Sequence, residues 1–312
     1  MAEVQAAYPQ QAAGQARQSV VRRWLGRDWW LGWLLVGPVV AILLALLVYP
    51  FLDAILLSFQ ERLIGRPGIW VGVRNYVDLF TKPDSKFFKS AWITVVVTGT
   101  AIGGKLVIGM AMACVLNQRI HLRNLWRGLM FLPWCVPAVV TAYAWRFLFD
   151  TSGPINGLIA EHQWMSDYIY FFNDARIALP ALVLVIIWSG TPFWTMNFLA
   201  GMQAISAELY EAAEIDGAST FQRFRFITVP SLRPVIMVTA LLSTIWTSAN
   251  LTQILVLTGG GPNNATMTLP LLAYQIAIPG HDLGMGAAIA LTMLPAYLVL
   301  VYFLTRQMLK QE

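Results

Sequence analysis

The feature that most constrains this chain is a series of six apolar segments, each longer than about 20 residues. A helix of roughly that length crosses about 30 Å of hydrocarbon, and the segments lack the alternation typical of membrane-barrel strands. The sequence therefore predicts an all-α, polytopic membrane protein with six transmembrane helices. The predicted spans cover residues 29–52, 91–116, 125–149, 178–202, 235–258 and 283–305.

Charged residues are too few for a soluble protein of this length. Only 12% of the 312 residues are charged and 57% are hydrophobic, whereas soluble domains carry about 25% charged residues. So few charges could not cover the outside of a large soluble core. Membrane topology accounts for the net charge of +5, and nothing in the sequence indicates nucleic-acid binding.

Basic residues are distributed unequally between the two sides of the predicted membrane. If the N-terminus is inside, the inside clusters are Arg17, Arg22, Arg23 and Arg27, then Arg119, Arg123 and Arg127, then Arg223, Arg225 and Arg233, then Arg306 and Lys310. The outside has one long basic loop, Arg176, and no basic residue between the last two spans. Short loops weigh most in the positive-inside rule, so both termini are predicted to be cytoplasmic. Residues 1–28 are predicted to form a partly disordered tail.

Several catalytic and energetic motifs are missing from the sequence. It contains no phosphate-binding G-x-x-x-x-G-K-[ST] loop and no nucleophile elbow, and its three histidines lack metal-ligand spacing. The predicted spans contain no acids, which proton-driven carriers normally need. The sequence therefore predicts that the chain is not an enzyme and binds no metal. The remaining possibilities are a transporter or a channel whose energy is supplied from outside this chain.

A long polar loop, residues 203–234, separates the fourth and fifth predicted spans. Its first part has the spacing of an amphipathic helix, and Gly217 is expected to end that helix because glycine readily adopts positive φ. Ser219 followed by Gln222 has the pattern of a capping box at the start of a second helix, which Pro230 and Pro234 are expected to end. Such a loop could be only a solvated connector.

The loop also contains a spaced signature. Glu211-Ala212-Ala213, three residues, Gly217, nine residues, and then Ile227-x-Val229-Pro230 resembles the EAA motif of binding-protein-dependent ABC importer permeases; Val229 departs from the usual leucine. The resemblance implies that the loop is a coupling helix docked on a separate ATPase subunit, which binds ATP and Mg²⁺, while this chain holds no cofactor. The implied coupling residues are Glu211, Ala212, Ala213, Asp216, Gly217, Ile227 and Pro230.

Two further segments resemble the carbohydrate-uptake branch of that family. They are Val73-Arg74-Asn75-Tyr76 with Leu79-Phe80, and Leu255 to Pro262 followed by Thr266. The second segment is typical of the permease type represented by the maltose permease F and glycerol-3-phosphate permease A subunits. The resemblance implies a prokaryotic inner-membrane complex of this chain, a second permease, two ATPase copies and an external sugar-binding protein. The substrate would be an oligosaccharide, disaccharide or polyol.

The fifth span carries a polar face. Ser243, Thr247 and Asn250 lie at i, i+4 and i+7, so a helix would place them on one side, with Trp246 and Gln253 nearby. Sugar sites combine such hydrogen-bonding groups with aromatic rings, although the same polar groups often join membrane helices. The maltose-type resemblance implies that Ser243, Thr247, Asn250 and Gln253 contact sugar.

The fourth span supplies further candidates. The resemblance implies that Gly190 and Phe193 line the sugar pathway, and we add Trp194 and Asn197 because they lie close by. Gly190 and Pro192 are expected to bend this helix, since irregular backbone within a membrane is tolerated beside a cavity.

Lys105 is the one charged residue in the middle of a predicted span. An ionisable residue at that depth indicates a functional site by default. It could instead snorkel or face a partner subunit, or it could contact an anionic substrate such as a phosphorylated glycerol. An importer of glycerol-3-phosphate or a related polyol is therefore an alternative, as are a stand-alone secondary carrier and a membrane scaffold.

Overall fold

The computed structural model describes residues 29–118, 120–162 and 167–309. The predicted N-terminal tail, Arg119 and Lys310 therefore lie outside the described residues. The chain divides into two compact units, Met1–Ala54 and Ile55–Glu312. The first predicted span is helical, with α1 (Trp29–Leu43) followed by a π-helical turn (Leu44–Val48) and α2 (Tyr49–Ser58).

Almost all the remaining elements are helical. They are β1 (Gln60–Glu61), β2 (Ile69–Trp70), α3 (Arg74–Thr81), a 3₁₀ turn (Pro83–Ser85), α4 (Phe87–Asn117), α5 (Arg123–Cys135), α6 (Ala138–Leu148), α7 (Pro154–Glu161), α8 (Ala175–Gln203), α9 (Ala207–Ile215), α10 (Thr220–Arg223), a π-helical turn (Phe224–Thr228), α11 (Val229–Ser231), α12 (Arg233–Ser248), α13 (Thr252–Leu257), α14 (Leu269–Ala277), α15 (Leu283–Leu291) and α16 (Met293–Leu309). The two short strands pair antiparallel.

The prediction of an all-α membrane fold is confirmed. Among the described residues, four helices are long and apolar enough to cross a membrane, and there are six if each of two bent pairs forms one span. Helices α4 and α8 begin four and three residues before the predicted spans 91–116 and 178–202, and each ends one residue after them.

Two spans are not the single helices that the sequence predicted. The third bends by 94° between α5 and α6, because Pro137 has no N–H to donate and disfavours helical backbone at Val136. In the fifth, helix α12 ends at Ser248 and α13 starts at Thr252. By contrast, α8 runs without interruption through Gly190 and Pro192. The irregular backbone expected at these two residues is absent from α8 and occurs instead at the α5–α6 bend and the α12–α13 break.

Helices α4 and α8 pack closely and form the centre of the second unit. Glycine allows the approach: a Cβ at Gly109 would lie 2.8 Å from Trp194 Cβ. One apolar cluster surrounds Val97, Ala101 and Val185, and another surrounds Ala113, Leu116 and Phe198. Lys105 and Gly190 fall between these clusters along their helices, so this is the level at which apolar packing is interrupted.

The segment that follows the first span is tied down by Asn75. Its Nδ2 donates to the carbonyl oxygens of Ser58 and Gln60, both at 2.9 Å, and Tyr76 Oη donates to Ser58 Oγ at 2.8 Å. Leu283 N–H donates to Arg62 O. These bonds explain the Asn-Tyr pair of the sequence motif as an anchor for the loop.

Candidate functional site

A cavity of about 420 Å³ lies where four parts of the fold meet. Helix α4 contributes Lys105, the α5–α6 bend contributes residues 133–138, and α8 and the α12–α13 segment contribute the rest. The α8 residues are Ile186, Ser189, Gly190 and Phe193, and those of the last segment are Ser243, Trp246, Thr247, Asn250 and Gln253. The volume is within the range of small-molecule sites, roughly 300–1,000 Å³.

Lys105 forms the cationic part of this cavity. Its side chain is only 4% exposed, and its Nζ donates to Thr247 Oγ1 at 2.9 Å. A Cβ at Gly190 would lie 2.5 Å from Lys105 Cε and 2.9 Å from Nζ. The absence of a side chain at Gly190 therefore lets the lysine pass across α8 to reach the α12 wall.

The side chains of Asn250, Gln253 and Ser189 form a chain of hydrogen bonds along another part of the cavity wall. Asn250 Nδ2 donates to Gln253 Oε1 at 2.6 Å, and Gln253 Nε2 donates to Ser189 Oγ at 3.1 Å. The Asn250 Oδ1 accepts the backbone N–H of Gln253 at 3.2 Å. The break between α12 and α13 positions this chain, because Asn250 lies in the irregular backbone between them.

Three aromatic rings form an apolar wall beside these polar groups. Trp134 stacks on Phe193 with ring centroids 5.2 Å apart and planes 19° apart. Trp246 contacts Phe193 at 5.1 Å and Trp134 at 5.9 Å. The bend at Pro137 brings Trp134 into this position, and both tryptophans are exposed on the cavity side of the subunit.

Six of the eight residues predicted to contact substrate line this cavity: Gly190, Phe193, Ser243, Thr247, Asn250 and Gln253. Trp194 and Asn197, which we had added because they lie near Gly190 in sequence, do not. Trp194 is fully buried on the α4 side of α8, and the Asn197 Nδ2 donates to Phe193 O at 2.7 Å. Sequence reasoning missed the residues of the α5–α6 bend, although Pro133 and Pro137 four residues apart were a signal for it.

Trp194 has a structural contact with the cavity wall. Its Nε1 donates to Ser243 Oγ at 3.0 Å in a buried bond. We expect Trp194→Phe to destabilise the fold by roughly 1–3 kcal/mol, because a buried hydroxyl loses its donor. Adding Ser243→Ala removes that hydroxyl and should recover part of the loss, as measured by the thermal unfolding of purified transporter. An unchanged midpoint for Trp194→Phe would show that this bond contributes little.

The loop between α8 and α12 has the backbone that its sequence predicted. Gly217 has φ +77°, with the bonds Gly217 N–H to Glu214 O and Ala218 N–H to Ala213 O that define a Schellman end. Ser219 and Gln222 form both bonds of a capping box. The second helix ends at Ser231, between the two prolines, and bends by 63° into α12.

The two helices of the loop are fastened to each other and to the membrane helices. Tyr210 Oη lies 2.8 Å from Thr228 Oγ1, and the Arg223 Nη1 donates to Glu214 Oε2 at 3.2 Å. Leu232 is fully buried among residues of α4 and α8. These contacts connect the loop directly to the packed core.

The outer face of the loop is exposed and carries both polar and apolar side chains. Glu211, Ala212, Asp216, Gly217 and Pro230 are exposed, while Ala213 and Ile227 are half-buried. Four large apolar side chains of the loop are also exposed: Leu209, Ile215 (88% exposed), Phe221 and Phe226.

Comparisons with known proteins agree on one family. The trehalose/maltose transport system permease protein MalF of Thermococcus litoralis is 34% identical over 84% of this chain and 88% of its own. The diacetylchitobiose uptake system permease protein DasB of Streptomyces coelicolor is 32% identical over 90% and 87%. A bacterial ABC transporter chain involved in alginate import has the same fold, with a TM-score of 0.77, 21% identity, and coverage of 92% and 97%.

The family described as binding-protein-dependent transport system inner membrane component matches residues 105–308. That range contains α8, the α12–α13 segment, the loop with the EAA signature, and Lys105 at its first position. The match and the relatives confirm the resemblance stated from the sequence. This chain belongs to the inner membrane components of binding-protein-dependent ABC transport systems.

Proposed function

We propose that this subunit carries a carbohydrate across the membrane through the cavity between α4, the α5–α6 bend, α8 and α12. The observation that carries the proposal is the combination of a three-ring aromatic wall with the polar side chains of Asn250, Gln253 and Ser189 beside it. Sugars present hydroxyl groups at their edges and apolar C–H groups on their faces, and this cavity offers partners for both. The relatives whose names mention trehalose, maltose and diacetylchitobiose support the same substrate class.

The transport cycle would need other subunits. We propose that the exposed face of the α9–α11 loop docks on an ATPase, with Glu211 available for a basic partner residue and Ala212 permitting close approach. Two ATPase copies would bind ATP and Mg²⁺, and an external binding protein would deliver substrate. A second permease would cover the open side of the cavity, where Trp134 and Trp246 are exposed. In this assembly both termini are cytoplasmic, in a prokaryotic plasma membrane.

The cavity assignment is tested by truncating its aromatic wall. We expect Trp246→Ala to lower ATP-dependent uptake by about tenfold or more, because ring stacking and apolar contact would be lost. Uptake of trehalose, maltose, diacetylchitobiose and the acidic sugar glucuronate would be measured in proteoliposomes with the complete complex. Trp92→Ala is the matched control, since Trp92 is exposed on α4 and does not line the cavity.

The same assay separates the alternatives. Uptake that persists without the ATPase subunits would indicate a stand-alone carrier. Equal loss for both tryptophan variants would show that membrane packing, and not the cavity, accounts for the effect. Normal uptake by Trp246→Ala would contradict the proposed pathway.

A further inference from the structure

Lys105 is a buried cation without a counter-charge in the described part of the chain. Its one hydrogen-bond partner there is the neutral Thr247 Oγ1, and the four ion pairs of that part all lie elsewhere. Removing an ammonium group from water costs several kcal/mol unless an opposite charge compensates it. The cavity therefore contains an uncompensated positive charge.

The fold holds this charge at the cavity surface. Gly190 leaves the gap through which the side chain passes, and Thr247 accepts one of the three N–H donors of the ammonium. Lys105 faces a cavity large enough for a small ligand, so it does not need to snorkel toward either membrane surface. Two donors remain for a ligand in the cavity.

We propose that Lys105 binds an anionic oxygen group on the transported carbohydrate, such as a carboxylate, sulfonate or phosphate. This assignment rests on the proposed function, since it requires that the substrate enter the cavity. An anionic group bound to the ammonium would balance its charge. Such a charge-assisted hydrogen bond is about twice as strong as one between neutral groups. The lysine would then select acidic sugars or polyol esters over neutral ones.

The first arm of the test measures the charge that the cavity presents. Cys135 lines the cavity and is a free thiol, and the chain has one other cysteine, Cys114. In an assembled transporter with Cys114→Ala and no other reactive cysteines, Cys135 would be modified by anionic sulfonatoethyl or cationic trimethylammonioethyl methanethiosulfonate. In each reaction the thiolate sulfur bonds to the reagent's sulfur and methanesulfinate leaves.

We expect the anionic reagent to be favoured by about tenfold relative to its preference for a small thiol, because cavities concentrate ions of opposite charge. Lys105→Met keeps a similar chain length and should remove that preference. A wild-type ratio equal to that of the small thiol would overturn the proposal, because it would mean that a partner subunit's carboxylate already neutralises Lys105.

The second arm uses two matched sugars, glucose and glucuronate, which differ by one carboxylate. Glucuronate should protect Cys135 from modification more strongly than glucose in the wild-type transporter, and Lys105→Met should abolish the difference. Equal protection by both sugars would overturn the anion assignment and leave the carbohydrate pathway intact. Protection by neither would contradict the pathway itself, and the Lys105 assignment with it.

Discussion

Gly217→Val is expected to abolish ATP-driven uptake while the permease still inserts into the membrane. Gly217 has φ +77° and a Cβ there would meet nothing within 4 Å, so within this chain the effect comes from the backbone conformation. A left-handed conformation costs a non-glycine residue roughly 1–2 kcal/mol, with more for a β-branched one. Relief of that strain would open the Schellman end and turn α9 relative to α10, which would move Glu211 away from the position in which we propose that it docks on the ATPase.

Gly217→Asn is the matched comparison, because asparagine tolerates left-handed backbone better than valine does. It should keep a measurable share of uptake, and co-purification of the ATPase should follow the same order, from wild type through asparagine to valine. Wild-type uptake by Gly217→Val would contradict the coupling role of this turn. Equal loss in both variants would show that the missing side chain, and not the backbone angle, is what docking requires.

The position of this loop explains why a change so far from the cavity would stop transport. Thr228 is held by Tyr210 of α9, and the next buried residue, Leu232, packs into the cluster that contains Trp194. Trp194 in turn donates to Ser243 in the cavity wall. These contacts form a continuous path from the loop to the α12 wall, along which we expect a rigid-body movement of the loop to be passed.

The features that the sequence predicted correctly are those that depend on residue type and spacing within a short segment. Segment length and apolar content predicted six spans, of which four are single helices long and apolar enough to cross a membrane in the described residues. The caps at Gly217 and Ser219 follow from residue type and spacing alone. Tertiary packing decides the rest. Pro192 lies inside a continuous α8, whereas Pro137 follows an extended Val136 and ends α5. The spacing of Pro133 and Pro137 was a signal for the second case, but a proline alone does not decide whether its helix continues.

The cavity residues also divide into those that the local sequence predicts and those that tertiary packing decides. The period of α12 correctly placed Ser243 and Thr247 on one face, but proximity in sequence was a poor guide for Trp194, which the close α4–α8 contact buries on another face. The role of Lys105 could not be decided from the sequence, because its three alternatives differ only in what surrounds the ammonium. The gap at Gly190 and the Thr247 contact are the observations on which the proposed anion site rests.

Gly190→Val is the second substitution expected to eliminate uptake. A Cβ there would lie 2.5 Å from Lys105 Cε and 2.9 Å from Nζ, so the lysine must leave its place against Thr247 or α4 and α8 must separate. Overpacking of this kind costs roughly 1–3 kcal/mol, and the added methyl groups also enter the cavity. Gly103→Val in α4 is the control, because a Cβ at Gly103 meets nothing within 4 Å.

A double substitution distinguishes the two ways in which Gly190→Val could act. If the clash with Lys105 dominates, adding Lys105→Ala should restore the thermal stability of the transporter, since the non-additive term of a double-mutant cycle reports direct contact. Uptake should stay low even then, because the valine still narrows the cavity and the cation is gone. Recovery of stability together with uptake would show that the cavity needs neither the space at Gly190 nor the charge at Lys105.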